Sequence, residues 1–300
     1  MLGKAFRSSP PIAGSLGKLF RDLKLILAHP PGGVSHLTNF GAIVLRFAES
    51  RILAAAVMIS TTASLVSAAA DGAGAAIARA HASPSCIVVG FVGGFVRHND
   101  PHHGPVQLAE RIHRAVPKDT YVQVFENRHR KTAYNTILRL LDANHDGILS
   151  DDEKARARII LYGHSWGASA VVLLARDLNR LGIPVLLTAQ VDSVAKPWQS
   201  DDVIPGNVAT AVNFYQPHGL IHGRAQITAA EPSKTQVLGN FRFDYRKEPI
   251  KCEETTWFAR TFTPSHMQSE CDPHLWSQLE ELVSQRMQPE PGTVALIPKP

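Results

Sequence analysis

Two neighbouring stretches carry residues whose types and spacing could do chemistry: DANHDGILSDDE at 142–153 and GHSWG at 163–167. The second sets Ser165 between two glycines in the pattern G-x-S-x-G. A serine presented on a sharp turn between a strand and a helix can attack a carbonyl carbon. That turn is so tight that side chains at the flanking positions would collide with nearby backbone. The flanks agree: ARIILY before the turn is apolar and strand-like, and ASAVVLLARDL after it is helical in character. The first stretch places carboxylates and an amide at alternate positions before a glycine, which is oxygen-ligand spacing for a hard cation.

That stretch fits D-x-[DN]-x-[DN]-G-x5-E at every fixed position. Asp142, Asn144 and Asp146 stand at loop positions 1, 3 and 5, and Gly147 supplies the turn at 6. Ile148 offers its carbonyl at 7, Ser150 acts through water at 9, and Glu153 brings two oxygens at 12. With Leu149 at the apolar anchoring position, the stretch resembles an EF-hand loop. Its context departs from that family, because only SDDEKARA separates the loop from the next strand and no second loop is present to pair with it. A lone loop has no partner to open against, so the expected role of Ca2+ is a structural brace and not a sensor. The bland alternative is a solvated acidic turn that caps a helix.

The elements that must position these residues follow from periodicity. Strands are expected at 87–92, 121–126, 157–163, 184–192, 209–216 and 236–245. Helices are expected at 105–116, 132–142, after Ser165 to Gly182, and at 272–287, where Asp272 caps and Pro273 opens the last one. Strands alternating with helices imply an α/β domain over 83–288, a mostly parallel sheet of about six strands with helices on both faces. With the elbow in that setting, the sequence resembles the α/β-hydrolase superfamily, particularly its lipase, esterase and thioesterase members with GHSxG.

The resemblance implies the chain order Ser, then Asp or Glu, then His. Asp192, in AQVDSV at the end of the next strand, occupies a place that some lipase-like members use for the acid. One strand later, at the more usual place, NFYQPHG offers no carboxylate; Asp244, in FRFDY, stays as the runner-up. His266, in TPSHMQSECDP, fits the family's loop before the closing helix, whereas His218 and His222 come early. The same template implies two backbone donors for an oxyanion, one at Trp166 and one in the loop FVGGF, at Phe91 or Val92. HNDPHHG at 98–104 is rich in His and Asp, but Pro101 between the histidines argues against a helical metal site.

Composition narrows the remaining classes. The chain has 300 residues, 44% of them hydrophobic, and a net charge of +5. The excess sits upstream: residues 1–52 hold seven Lys or Arg and two acids, leaving 24 bases and 24 acids in the remainder. A neutral body gives no basic footprint for nucleic acid. Residues 52–70 carry no charge, follow Arg46 and Arg51, and end in small residues, so 51–70 reads as a signal peptide or, alternatively, a membrane anchor. Residues 1–50 are then an upstream extension, disordered or untranslated, and 289–300 a flexible tail. Export permits a disulfide, with Cys252 and Cys271 the expected pair and Cys86 a buried core thiol.

Together these features point to a secreted or periplasmic serine hydrolase of a small-molecule or lipid ester, braced by Ca2+. An anchored, extracytoplasmic protein is the alternative location. Rival functions are a calcium-binding interaction domain on an inactive hydrolase scaffold, and an acyltransferase.

Overall fold

Uninterrupted aliphatic runs make the centre of the sheet. CIVVGFV forms β1 (Cys86–Val92) and IILYGH forms β3 (Ile159–His164), with every residue buried, as a strand covered on both faces requires. The computed structural model describes residues 83–116, 118–252 and 263–288. The upstream extension 1–50, the 51–70 segment and the 289–300 tail lie outside the described residues.

The chain continues through α1 (Gly104–Ala115), β2 (Thr120–Glu126), α2 (Arg130–Leu141), α3 (Asp151–Ala155) and, after β3, α4 (Trp166–Asn179). Then follow β4 (Val185–Val191), β5 (Val203–Ile204), β6 (Val208–Tyr215), β7 (Thr228–Ala229), β8 (Gln236–Arg242), α5 (Pro264–Cys271) and α6 (Pro273–Met287). Six strands form one sheet in the order β2-β1-β3-β4-β6-β8. Every neighbouring pair is parallel. The strand period of two divides the core. Ile87, Val89 and Phe91 of β1 face α2 and α4, whereas Cys86 and Val88 face α1 and α6. The expected α/β class, with about six strands and both faces covered, is the one observed.

Four elements were not expected. Strands β5 and β7 form a separate pair of two residues each, too short for any periodic signal. Helix α3 has no buried residue, so it lacks an apolar stripe. Helix α5 buries Ser265, His266, Ser269 and Glu270, a polar face that hydrophobic periodicity does not register.

Candidate active site

The order of strands changes direction at β1 and β3: the chain passes from β1 outward to β2, and from β3 outward to β4. In open α/β sheets the crevice at the carboxyl ends beside such a point is where ligands bind. Ser165 stands there, between the end of β3 and the first residue of α4, with φ 58° and ψ −125°. A side-chain-bearing residue in that conformation is strained and persists only where packing over-determines it. The packing is visible at the glycines. A Cβ on Gly167 would lie 2.3 Å from Phe91 O, and one on Gly163 would lie 2.6 Å from the Gly167 carbonyl carbon. A Cβ on Gly93 would approach Ser165 Cβ to 2.8 Å.

His266 reaches this serine from α5. Its Nε2 is 2.9 Å from Ser165 Oγ and its Nδ1 is 2.6 Å from Asp192 Oδ2. All three residues are buried, with Asp192 fully inaccessible. Asp192 follows β4, and its carboxylate is fixed by three further donors. Gly223 N donates to Oδ1 at 2.6 Å, Gln216 N donates to Oδ1 at 3.3 Å, and Gln216 Nε2 donates to Oδ2 at 2.9 Å. With the carboxylate so held, Nδ1–H of His266 donates to Asp192 and Nε2 is left to accept the Ser165 hydroxyl proton.

The runner-up acid belongs to another pair. Asp244 is 3.0 Å from His218 Nε2 and 3.1 Å from an Arg242 guanidinium nitrogen. His222 Nδ1 faces Gly219 O at 3.2 Å. Neither early histidine has Ser165 among its partners.

His266 lies on a helix and not in the loop the sequence suggested. Thr263 and Pro264 start α5, and Asp272 ends it while capping α6 through His274 N and Leu275 N. The Tyr245 hydroxyl donates to Asp272 Oδ2 at 3.0 Å, and the expected Cys252–Cys271 disulfide ties the helix end to the chain beyond β8. Ile250 N donates to Gln268 Oε1 at 2.7 Å on the same helix.

Trp166, one expected oxyanion donor, is the first residue of α4, where the helix dipole favours negative charge. Phe91 and Val92 do not reach the expected loop. They remain inside β1, in register with Phe125 and Glu126, because the strand runs on through Val92. The residue brought against Ser165 is Gly93. The turn after β1 is pinned by Asn127, whose Nδ2 donates to Gly94 O at 2.6 Å, and Lys196 Nζ donates to Asn127 Oδ1 at 2.7 Å. Lys196 also lies 5.1 Å from the Trp166 ring centroid, and Phe95 packs edge-on to that ring. Burial, and then Arg128 nearby, pull the Lys196 amine below its ordinary range. A cavity of about 640 Å³ opens between Ser193–Ala195 and His222–Gln226; Ser165 does not line it.

The 142–153 loop is organised by its own backbone. Asp142 Oδ2 accepts from Gly147 N at 3.0 Å, Asn144 Oδ1 from Asp146 N at 3.1 Å, and Asp146 Oδ1 from Ile148 N at 2.7 Å. Glu153 accepts from Ser150 N at 2.9 Å and from Ala143 N at 2.8 Å, and Ser150 caps α3 in return. Hydrogen bonds from the Ser150 amide and hydroxyl hold the Glu153 carboxyl below its ordinary range. Asp142 Oδ1 is buried without a protein partner. Among the described residues no three His, Cys, Asp or Glu side chains converge as a metal cage, at this loop or at HNDPHHG. In the latter, His98 turns to Glu126 and His103 to Glu270.

No protein-family model matches the sequence, and no curated protein matches it. Among solved structures the chain is similar to a cutinase-like protein from Cryptococcus sp., at 13% identity and TM-score 0.35 over 69% of this chain and 98% of that one. An acetyl xylan esterase gives 11% identity and TM-score 0.32 over 68% and 99%. A dienelactone hydrolase from Anabaena variabilis gives 10% and 0.30 over 67% and 85%. Values this low carry no functional weight, and function has to be drawn from the geometry above.

Gln216, Gly223, His164, Ser269 and Glu270 are site residues that sequence reasoning missed. Gln216 and Gly223 flank the two histidines of QPHGLIHGR. Nothing in a single sequence marks an amide or a glycine as the partner of a carboxylate 24 or 31 positions away.

Proposed function

We propose that the protein is a secreted or periplasmic serine hydrolase that cleaves a carboxylic ester of a small molecule or lipid through an acyl-enzyme. The observation that carries this reading is His266 bridging Ser165 Oγ at 2.9 Å and Asp192 at 2.6 Å. Ser165 Oγ attacks the ester carbonyl while its proton passes to His266 Nε2, and Asp192 stabilises the imidazolium that forms. The tetrahedral oxyanion is met by backbone donors at Trp166 and in the turn beginning at Gly93. Collapse expels the alcohol, which takes the proton from His266. Water, deprotonated by His266, then releases the acid and restores Ser165. Transfer to an alcohol or amine in place of water would use the same groups.

An inert scaffold that only binds a partner has no use for a base within hydrogen-bond reach of a strained serine, so the enzyme is favoured over the interaction domain. The test is hydrolysis of short p-nitrophenyl esters, together with labelling by a fluorophosphonate. Both should be lost in Ser165→Ala. Labelling that survives the substitution sinks the assignment.

Calcium binding at 142–153 is part of the proposal. The donor chemistry fits: hard oxygens only, a Glu153 carboxyl kept ionised, and one Asp142 oxygen buried without a partner. Asp142, Asn144, Asp146, the Ile148 carbonyl, Ser150 through water, and Glu153 would hold the ion. Bound there, it would neutralise the acidic loop and brace the connection from α2 to β3. Export rests on the 51–70 segment; among the described residues no helix is long and apolar enough to cross a membrane.

A further inference from the structure

Beside the imidazole of His266 lies a second imidazole–carboxylate arrangement that the proposed hydrolysis leaves unused. His164, the residue before the nucleophile, stacks on His266 with ring centroids 4.7 Å apart and planes inclined at 30°. Its Nε2 is 3.1 Å from Ser269 Oγ, and its Nδ1 is 3.5 Å from Glu270 Oε1. Glu270 Oε1 is also 2.8 Å from His103 Nδ1, whose Nε2 stands 3.6 Å from Asp100 Oδ2. His164 is 2% exposed and Glu270 4%. An uncompensated carboxylate so placed would be strongly destabilising. Burial alone would push the Glu270 carboxyl up, but the charge of His164 and the hydrogen bond from His103 outweigh it and hold the group far below the carboxylate range.

The single proton of Ser269 decides the state of His164. Ser269 Oγ donates to His266 O at 2.7 Å, so toward His164 it can only accept, and His164 Nε2 carries a hydrogen. A neutral imidazole of that tautomer would turn its Nδ1 lone pair on the Glu270 oxygen. A second proton at Nδ1 would turn that contact into an ion pair and place a cation against the face of the base.

We propose that Glu270, acting through His164, is a positioning residue for His266: it keeps a positive charge stacked on the base, so that His266 stays unprotonated until Ser165 gives up its proton. The inference deepens the serine-hydrolase reading and rests on it for its meaning. Two opposite charges then bracket His266, with Asp192 at Nδ1 favouring the imidazolium and His164 on the ring face opposing it. Among the described residues, the other charged or titratable groups in this cluster are His103 and Asp100 ahead of α1, and Tyr245 with Asp272 at the end of α5. From α6 the neutral Trp276 Nε1 donates to Ser269 O and Glu270 O. Removing the Glu270 charge lets His164 relax to a neutral ring, and protonation of His266 becomes easier.

The experiment titrates His266 by NMR in full-length protein carrying 13C-labelled histidine, with Ser165 intact, in the wild type, Glu270→Gln, Glu270→Asp and His103→Gln. Glu270→Gln should raise the His266 midpoint by about one pH unit, the direction expected when a like charge is withdrawn. The acid limb of kcat/KM should rise with it while KM stays within about twofold, a split that loss of packing alone would not give. Glu270→Asp, which keeps the charge, should return most of the shift. His103→Gln, at the accessible edge of the cluster, should move the midpoint the same way by less. A folded Glu270→Gln whose midpoint stays put or falls overturns the proposal; if that variant does not fold, an unmoved His103→Gln does so. The NMR midpoint is read whether or not an ester turns over, so a wild type without esterase activity would defeat the proposed function and leave this result standing.

Discussion

The crest that carries Ser165 and the loop at 142–153 both hold carboxylates in place, by opposite means. At the crest the partners are far apart in the chain: His266 is 101 positions from Ser165 and 74 from Asp192, and Gly223 is 31 from Asp192. In the loop, among the described residues, the hydrogen-bond partners of Asp142, Asn144, Asp146 and Glu153 all lie within ten positions. The crest exists only once the sheet, α5 and the β6–β7 connection have come together. The loop can take its shape from short turns alone. The crest should therefore fail all at once with the fold, and the loop should be separable from it.

The largest effect expected at the crest is chemical. Ser165→Ala should lower ester hydrolysis by about 10⁴- to 10⁶-fold, and Asp192→Asn by about 10⁴-fold. The Ser165→Ala melting temperature should stay within about 2 °C of wild type, because the substitution leaves the surrounding packing in place. A loss under tenfold in Ser165→Ala would mean that the crest is scaffold and not catalyst. Next, breaking the Cys252–Cys271 bridge with serines should cost about 3 kcal/mol in urea unfolding, the value expected for a loop of this length. Activity should fall with it, since the bridge ends on the helix that carries His266. A double variant as active and as stable as wild type would show that α5 is held by its capping and Tyr245 contacts alone.

Gly167→Ala should cost about 2 kcal/mol, because the added Cβ lands on the Phe91 carbonyl and the backbone there has to move. Measured by denaturant titration, no loss at all would show that the elbow is looser than its contacts imply. The smallest effect belongs to the loop. Calcium at ten times its Kd should add about 1.4 kcal/mol and raise Tm by about 3–6 °C, and Glu153→Gln should abolish that gain. Turnover at 25 °C should be the same with and without chelator. Chelation that stopped catalysis without moving Tm would join the two regions and turn the loop into a regulator.

What was legible in the sequence follows the same division. The elbow could be read locally because its two glycines and serine fall within five residues, although Gly167 is packed against Phe91 from β1, and the 142–153 turn because its residues fall within twelve positions, with calcium there a proposal. His266 could be placed by its distance from the closing helix, yet the helix that carries it could not, since α5 buries polar groups. Asp192 was the expected acid from the sequence, and its setting against that of the runner-up, Asp244, needed the fold. Asp244 is taken by His218 and Arg242, while Gln216 and Gly223 converge on Asp192. Phe91 and Val92, the expected second oxyanion donors, lie inside β1 and Gly93 is the residue against Ser165, because a strand end is fixed by pairing with β2, which alternation in β1 alone does not specify.

Cys86 opens β1 at the heart of the sheet, 2% exposed, with its thiol pushed up to about 11 by burial. The other two cysteines of the chain are joined. Under non-reducing conditions a thiol reagent therefore has one target, and it stays silent while β1 is paired on both sides. The rate at which the label enters would time the opening of the central strand, giving the protein an internal clock for its own unfolding with no residue replaced.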